Sequence, residues 1–467
     1  MELGIGLTKI APLCVYITLW IVVIITLTKR LDFGLFFLVP LIPQQSLLDA
    51  AIQYPMGKDL VDIILLAMLV RWYLDKRKEN EITKSSHGFL LETPLNKWVI
   101  CFVVYTYFGL WYGSFTLGIP APIEISNPRF EEWKNFMILP LLFFITVNNI
   151  KTKRQIEILV LLMTISMLFM DRSVVSMIRG KDMSSYSHDL RVTGTFSHLG
   201  VNALAVFYAQ YSALVFVYAL MDKQKWRRML FMATTYMNYF VLAFLFSRGG
   251  YVAAMFSWLF IGFYKDRRVL AAVVVLLIFW QVLLPVAVVE RIEMTKTDEG
   301  LDNTVKERLD LWSQAEVVFS NNPIFGVGYN TAPYMGYKDN VTDRNRRSLH
   351  SGYLEYISEN GLIGLFLFLS FYVWAIKLGL RLHKKTDDPF FKALGFGTAV
   401  GAVAAFGGNI TGAYWQYFSV SGFFWVLLAL LVRSHIIVDE EKAKSETKSV
   451  DTGVLENAVS LPKPVMV

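Results

Sequence analysis

The sequence predicts an all-α, polytopic membrane protein of about twelve or thirteen transmembrane helices, with one long outer loop carrying short helices. Three observations predict it. The 467 residues are 55% hydrophobic with a mean hydropathy of +0.44, too apolar for an ordinary soluble domain of this length. Apolar runs of roughly 17–25 residues recur, each long enough to cross a bilayer. Basic residues gather in the short connections between those runs, which is the pattern of loops that stay cytoplasmic. Helices are required, because lipid offers backbone amides no partner and no barrel-like alternation is present.

The first span is expected near 10–28, closed by Lys29-Arg30. The second, near 31–49, is interrupted by Pro40 and Pro43. The third, near 58–74, ends before Lys76-Arg77-Lys78, and the fourth lies near 97–113. Spans near 134–149 and 155–171 flank the basic stretch 151–154. Spans near 199–221 and 229–246 flank 223–228, and those near 250–264 and 269–286 flank 265–268. The last three lie near 353–380, 393–410 and 414–435, with basic residues at 381–385 after the first of them. With these basic connections inside, segments 114–133, 172–198 and 287–352 fall outside, as does the turn Ser247-Arg248-Gly249-Gly250. The chain thus reads as a membrane domain, 1–435, whose residues 287–352 form a long periplasmic loop, and a cytoplasmic tail, 436–467, expected to be disordered from its composition. Within the long loop, Leu309, Trp312, Ala315 and Phe319 recur at helical spacing and predict an amphipathic helix at the interface. Asn321-Asn322-Pro323 ends it, and Gly326-Val327-Gly328 starts a turn-rich stretch.

Several function classes are excluded. The net charge of +7 orients helices and forms no continuous groove-binding face, so no nucleic-acid partner is expected. Cys14 and Cys101 both lie in apolar runs and imply neither a disulfide framework nor a thiolate metal site. No removable signal peptide is read at the N-terminus. No His-x-x-x-His pair or dense Asp cluster points to a metal, and neither a nucleotide-phosphate loop nor a serine-nucleophile elbow is present.

What remains is a polar constellation on the outer side. It comprises Arg191 in Arg191-Val192-Thr193-Gly194-Thr195-Phe196, Arg248 in its tight turn, Arg308 on the interfacial helix and His350 in Arg346-Arg347-Ser348-Leu349-His350-Ser351-Gly352-Tyr353-Leu354. All four are placed at similar membrane depth. Arginine suits phosphate because its planar fork donates two parallel hydrogen bonds and stays charged. Histidine's ordinary pKa of about 6.5 suits proton transfer at neutral pH. Bland alternatives exist for each: Arg191 and Arg248 could snorkel to head groups, Arg308 could pair along its helix, and His350 could be an ordinary loop residue. His198 is a second histidine candidate on the same side, whereas His87, His383 and His435 fall on the other. Glu355 and Glu359, one helical turn apart after His350, would orient the histidine or pair with arginines.

These residues resemble the O-antigen ligases and O-antigen polymerases of bacterial inner membranes. The likeness rests on Arg191-x-x-Gly194-Thr195-Phe196 with His198 and Asn202, and on Ser247-Arg248-Gly249-Gly250-Tyr251. It rests above all on the block from Arg308-x-x-x-Trp312 through Pro323-x-x-Gly326-x-Gly328 to His350-x-x-Tyr353-Leu354 and Glu359-Asn360-Gly361-x-x-Gly364. Two departures are visible. Ser351 stands where the family often has Asn, and Leu199-Gly200-Val201 precede Asn202 without the family's proline.

The resemblance implies transfer of a glycan from an undecaprenyl-diphosphate carrier on the periplasmic face of the inner membrane, with no cofactor or metal. The acceptor would be lipid A–core in a ligase and a carrier-linked repeat unit in a polymerase, placing the protein in lipopolysaccharide or exopolysaccharide biosynthesis. Arg191, Arg248 and Arg308 would hold the diphosphate and His350 would take the proton from the acceptor hydroxyl, with inversion at the sugar. Two other classes compete. A secondary transporter would place its charges near the bilayer midplane on repeated halves, whereas here the middles of the spans are nearly free of charge. A non-catalytic component of a polysaccharide assembly complex would tolerate loss of His350.

Overall fold

The computed structural model describes residues 7–83, 88–124, 126–297, 300–338 and 348–459, and among these the regular secondary structure is helical apart from one minimal hairpin. The helices are α1 (Leu7–Thr28), α2 (Asp32–Leu41), α3 (Gln45–Ala51), α4 (Leu60–Thr83), α5 (Asn96–Leu117), α6 (Pro128–Asn149), α7 (Lys153–Ile178) and α8 (Gly200–Met221). They continue with α9 (Lys225–Phe244), α10 (Arg248–Tyr264), α11 (Arg267–Leu283), α12 (Val286–Glu293), α13 (Asn303–Asn321), α14 (Gly352–Lys385), α15 (Pro389–Asn409) and α16 (Phe418–Val459). The hairpin pairs β1 (Lys296–Thr297) with β2 (Gly300–Leu301).

Among the described residues, seven helices are long and apolar enough to cross a membrane: α1, α5, α7, α8, α14, α15 and α16, some with flanking residues. Two bent pairs, α2 with α3 and α11 with α12, raise the number to nine. Each of the thirteen expected spans coincides with a helix or a bent pair. The remaining four, α4, α6, α9 and α10, are individually weaker. The first three carry charged or polar ends, and α10 has only 17 residues. The prolines that interrupt the expected second span mark a real break, with α2 and α3 meeting at 107°.

Local signals set the helix starts. Asn127, ahead of Pro128, accepts the amides of Arg129 and Phe130, and Asp388, ahead of Pro389, accepts those of Phe390 and Phe391. Thr152 and Gln155 close a reciprocal capping box at the start of α7. At the centre, α8 and α15 are buried almost throughout. The small residues of α15 make this possible: an added Cβ at Gly408 would meet the Val206 side chain, and one at Gly397 would meet Leu214. In lipid, such close backbone approach is a main source of helix association.

The tail differs from expectation. Helix α16 runs on to Val459, past the point where disorder was expected to begin. Its turns just beyond residue 435 are anchored, Asp439 pairing with Lys385 at 2.5 Å and Lys442 donating to the Lys385 carbonyl. Residues 460–467 lie outside the described residues.

Candidate active site

At one end of the bundle, the loop after α7, the α9–α10 turn, α12, α13 and the segment before α14 come together. A small apolar cluster of Leu190, Phe246, Ala287 and Val288 fixes three of these elements to one another. Glu290 accepts the Tyr186 amide at 2.6 Å, and the Arg291 guanidinium lies 5.0 Å over the Tyr186 ring. Helix α12 is thereby turned back across the site, bringing in an arginine that no sequence motif marks. Its position just beyond an apolar run, in Glu290-Arg291-Ile292-Glu293, is the one signal the sequence offers for it.

The turn Ser247-Arg248-Gly249-Gly250 is built as the sequence suggests, with one difference. The left-handed residue is Phe246, φ 51°, and not a glycine. The glycines serve close approach, since a Cβ on Gly250 would lie 2.6 Å from that of Ala205 and one on Gly249 would collide with Thr411. An aromatic residue at positive φ is an uncommon, strained conformation. Ser197 and His350 are also left-handed, at φ 42° and 53°. Strain of this kind concentrates at functional sites.

The arginines converge. Arg191 Nη2 donates to Asn202 Oδ1 at 2.7 Å, and Ser247 Oγ donates to the same oxygen at 2.9 Å, tying the first two motifs together. The Arg191 Nε is buried without a partner. Arg248 spreads its fork, Nη1 donating to Thr295 Oγ1 and Nη2 to Asp302 Oδ2 and Thr304 Oγ1, all at 2.9 Å. Burial alone would raise the Asp302 carboxyl, but hydrogen bonds from Thr304 and Arg248 outweigh it and hold the group below its usual range. Arg308 makes no hydrogen bond or ion pair among the described residues. Burial lowers its pKa, and the nearby Arg248 and Arg191 lower it further. Arg291 is within electrostatic reach of Arg248 and Arg191 as well. Four guanidinium groups therefore share one small region, which favours a polyvalent anion.

His350 sits at the edge of this region. Its Nε2 is 3.9 Å from Glu307 Oε1, and its side chain is 42% exposed. The loop that carries it is braced from two sides. Glu355 Oε2 accepts Ser348 Oγ at 2.8 Å and the Leu349 amide at 3.1 Å, and Trp312 Nε1 donates to the Leu349 carbonyl at 3.0 Å. The spacing Arg308-x-x-x-Trp312 thus has a reason: one turn of α13 faces the arginines while the next holds the histidine loop. The buried face of α13 is Leu311 and Ala315 with Trp312 and Val318, and Leu309, expected in that face, is exposed. The reason is that α13 packs on the chain's own α14 and outer loop, so that partner rather than the bilayer selects the buried side.

Glu355 therefore acts on the backbone beside His350. Glu359 braces a different turn, accepting the amides of Asn330 at 3.1 Å and Ala332 at 2.8 Å. The residue that faces the imidazole is Glu307, which the sequence showed only as one charge among several on α13. His198 lies apart, exposed, with Nδ1 3.8 Å from Asp49 Oδ2, and lines a separate cavity of about 330 Å³ with Glu132 and Asn330. Arg346 and Arg347 lie outside the described residues. No cluster of three or more potential metal ligands occurs among the described residues.

Apolar space adjoins the arginines. A bay of about 590 Å³ between α9, α10, α11 and α12 is lined by Leu242, Trp258, Leu276 and Trp280, and it ends at Tyr251, Val288 and Ile292, beside Arg248 and Arg291. A second groove of about 850 Å³ runs along α2, α3 and α7 to Thr195.

Residues 233–369 match the family described as O-antigen ligase (Wzy_C), and no curated protein matches the chain. The matched segment holds the Ser247–Gly250 turn, Arg291, Arg308, His350, Glu355 and Glu359, and stops short of Arg191 and His198. Over that segment the chain is similar to the O-antigen ligase family, and the segment lies within a helical chain that carries seven to nine candidate membrane spans among its described residues.

Proposed function

We propose that the protein transfers a glycan from an undecaprenyl-diphosphate carrier to an acceptor hydroxyl, with inversion, on the periplasmic face of the bacterial inner membrane. The convergence of Arg191, Arg248, Arg291 and Arg308 beside an apolar bay, with His350 at their edge, carries this reading. A polyprenyl diphosphate needs an apolar channel and a polyvalent cationic cradle in contact, and this end of the bundle supplies both.

The chemistry follows from charge and proton balance. As the bond between the anomeric carbon and the diphosphate oxygen breaks, negative charge grows on the leaving group. Fixed arginines stabilise that charge without reorganisation, and in many enzymes such preorganised charge contributes more to the rate than any other effect. The diphosphate departs unprotonated, so no second carboxylate is required. His350 takes the proton of the acceptor hydroxyl as its oxygen attacks the opposite face of the sugar. Glu307 beside the ring supports the imidazolium that forms. The acceptor is lipid A–core or a second carrier-linked unit, and both present a hydroxyl to the same base.

The test is reconstitution of purified protein with undecaprenyl-diphosphate glycan and each acceptor class, following the joined product. Product that persists in EDTA supports the metal-independent reading. Binding of the carrier-linked glycan without transfer to any hydroxyl acceptor would instead favour a transport or assembly role.

A further inference from the structure

The opposite end of the bundle holds a second charged cavity, of about 740 Å³, that glycan transfer leaves unused. It lies where α1 meets α2, along the second half of α4, and where α6 meets α7. Asn148 and Asn149 at the C-terminal end of α6 line it, and α6 is itself roughly 33 Å long at 1.5 Å per residue. Six of its lining side chains are basic, namely Lys29, Arg30, Lys76, Lys78, Lys151 and Arg433, against the acids Asp32, Asp75 and Glu79.

The acids are already engaged. Arg30 Nε donates to Asp32 Oδ1 at 3.0 Å, and Gln155 Nε2 donates to Asp32 Oδ2 at 3.0 Å. Arg71 pairs with Asp75 at 2.7 Å and Lys76 with Glu79 at 2.9 Å. Among the described residues, the ammonium groups of Lys29, Lys78 and Lys151 make no ion pair.

Two residues that carry a buried, unpartnered donor atom line the same space. Arg433 is 9% exposed, its Nε has no partner, and its guanidinium makes no hydrogen bond or ion pair among the described residues, with Glu440 acting on it only through space. Trp72 is 2% exposed and its Nε1 is equally unpartnered. A buried charge is costly unless something compensates it. An unpaired buried guanidinium and an unpaired indole N–H lining one basic cavity are complementary to an anion with several acceptor oxygens. Leu31, Ile82 and Leu91 give the cavity an apolar side as well.

The geometry points to a binding site for the phosphodiester headgroup of an anionic phospholipid, seated between α1, α4, α7 and α16. The Arg433 guanidinium donates to phosphate oxygens, Trp72 walls the site, the unpaired lysines supply the field, and an acyl chain leaves along the apolar wall. Such basic pockets between helices are a known way of holding anionic lipid. The site is independent of the glycan-transfer reading and is tested by binding alone.

The experiment uses the purified full-length chain in detergent, with thermal unfolding and native mass spectrometry as readouts. Micelles doped with phosphatidylglycerol are expected to raise the unfolding temperature and leave one retained lipid, and phosphatidylcholine to do neither. The double variant Lys29→Gln/Lys151→Gln alters two exposed side chains. It should unfold at the wild-type temperature in phosphatidylcholine and lose most of the phosphatidylglycerol shift. Arg433→Gln should lose the shift too, and the double variant keeps the test decisive if that buried change misfolds. An undiminished shift in the double variant, or equal effects of the two lipids, overturns the proposal. A shift produced as strongly by inorganic phosphate alone overturns the lipid assignment in favour of a soluble anion.

Discussion

At the scale of the residue, the informative contrast is between His350 and the arginines. His350 is held at φ 53° in a braced loop and contributes little to the core, so His350→Ala should leave the protein inserted and folded. Transfer should fall by roughly 10²–10⁴, the usual worth of a general base, while carrier binding persists. Retained transfer in the reconstituted assay would remove His350 from the chemistry. The pH profile separates two explanations of any acid loss. Only a neutral imidazole can accept a proton, so a histidine base loses activity as pH falls through the range where imidazoles protonate. The depressed carboxyl of Asp302 contributes above the unfolded carboxylate pKa, about 3.9, and its contribution is lost only below that. A fall near neutrality therefore cannot come from the Arg248–Asp302 pair. For Arg248, lysine keeps the charge and loses the fork that reaches Thr295 on one side and Asp302 and Thr304 on the other. Arg248→Lys should cost roughly ten- to a hundredfold in transfer, since a hydrogen bond to a charged group is worth about 1.5–3 kcal/mol. Near wild-type rates with normal expression would show that charge alone suffices there. The sequence pointed to three of the four arginines because each sits in a recognisable local setting. Arg291 lacks one, and only the fold of α12 reveals it. Glu307 was hidden for a similar reason, because adjacent charges on one helix differ only in which of them the fold turns inward.

At the scale of the element, the site depends on helices approaching closely at their ends. Gly250 rests on the Ala205 side chain of α8, so the turn that presents Arg248 is set by an approach too close to admit a Cβ. Gly250→Val should push α10 from α8 and cost about 1–3 kcal/mol by overpacking. Its unfolding temperature in detergent should drop, and transfer should drop with it. Trp312→Phe keeps the ring and removes the donor to the Leu349 carbonyl. That change should lower stability by only about 1 kcal/mol and slow transfer by loosening the His350 loop, with carrier affinity preserved. A variant with unchanged turnover would mean that Glu355 alone holds the loop. The helices themselves were legible because lipid imposes length and apolarity on every span. The buried face of α13 was misjudged because hydrophobic spacing names a stripe without naming what covers it. The helical course of α16 was missed because composition does not show that Lys385 anchors Asp439.

At the scale of the whole molecule, the arrangement is bipolar. One end gathers four arginines and a histidine around apolar space, and the other gathers the basic connections and the cavity around Arg433. The order of helices forces this. Each motif precedes or follows a helix that leaves the same end, so segments far apart in sequence meet without any one of them crossing the bundle interior. Orientation in the membrane is a separate matter, governed by which connections carry the positive charge. Those are the connections at the end away from His350, so reporter fusions at Lys76, Lys225 and Lys384 should read cytoplasmic. Fusions near Ser126, Met183 and Asn321 should read periplasmic. The two sets are linked through the described helices, so they must switch together or not at all. A cytoplasmic reading at Asn321 would put Arg308 and His350 on the side where positive connections normally lie. A glycan-transfer site of the proposed kind would then face the wrong compartment, and the arginine cluster would have to serve a different anion.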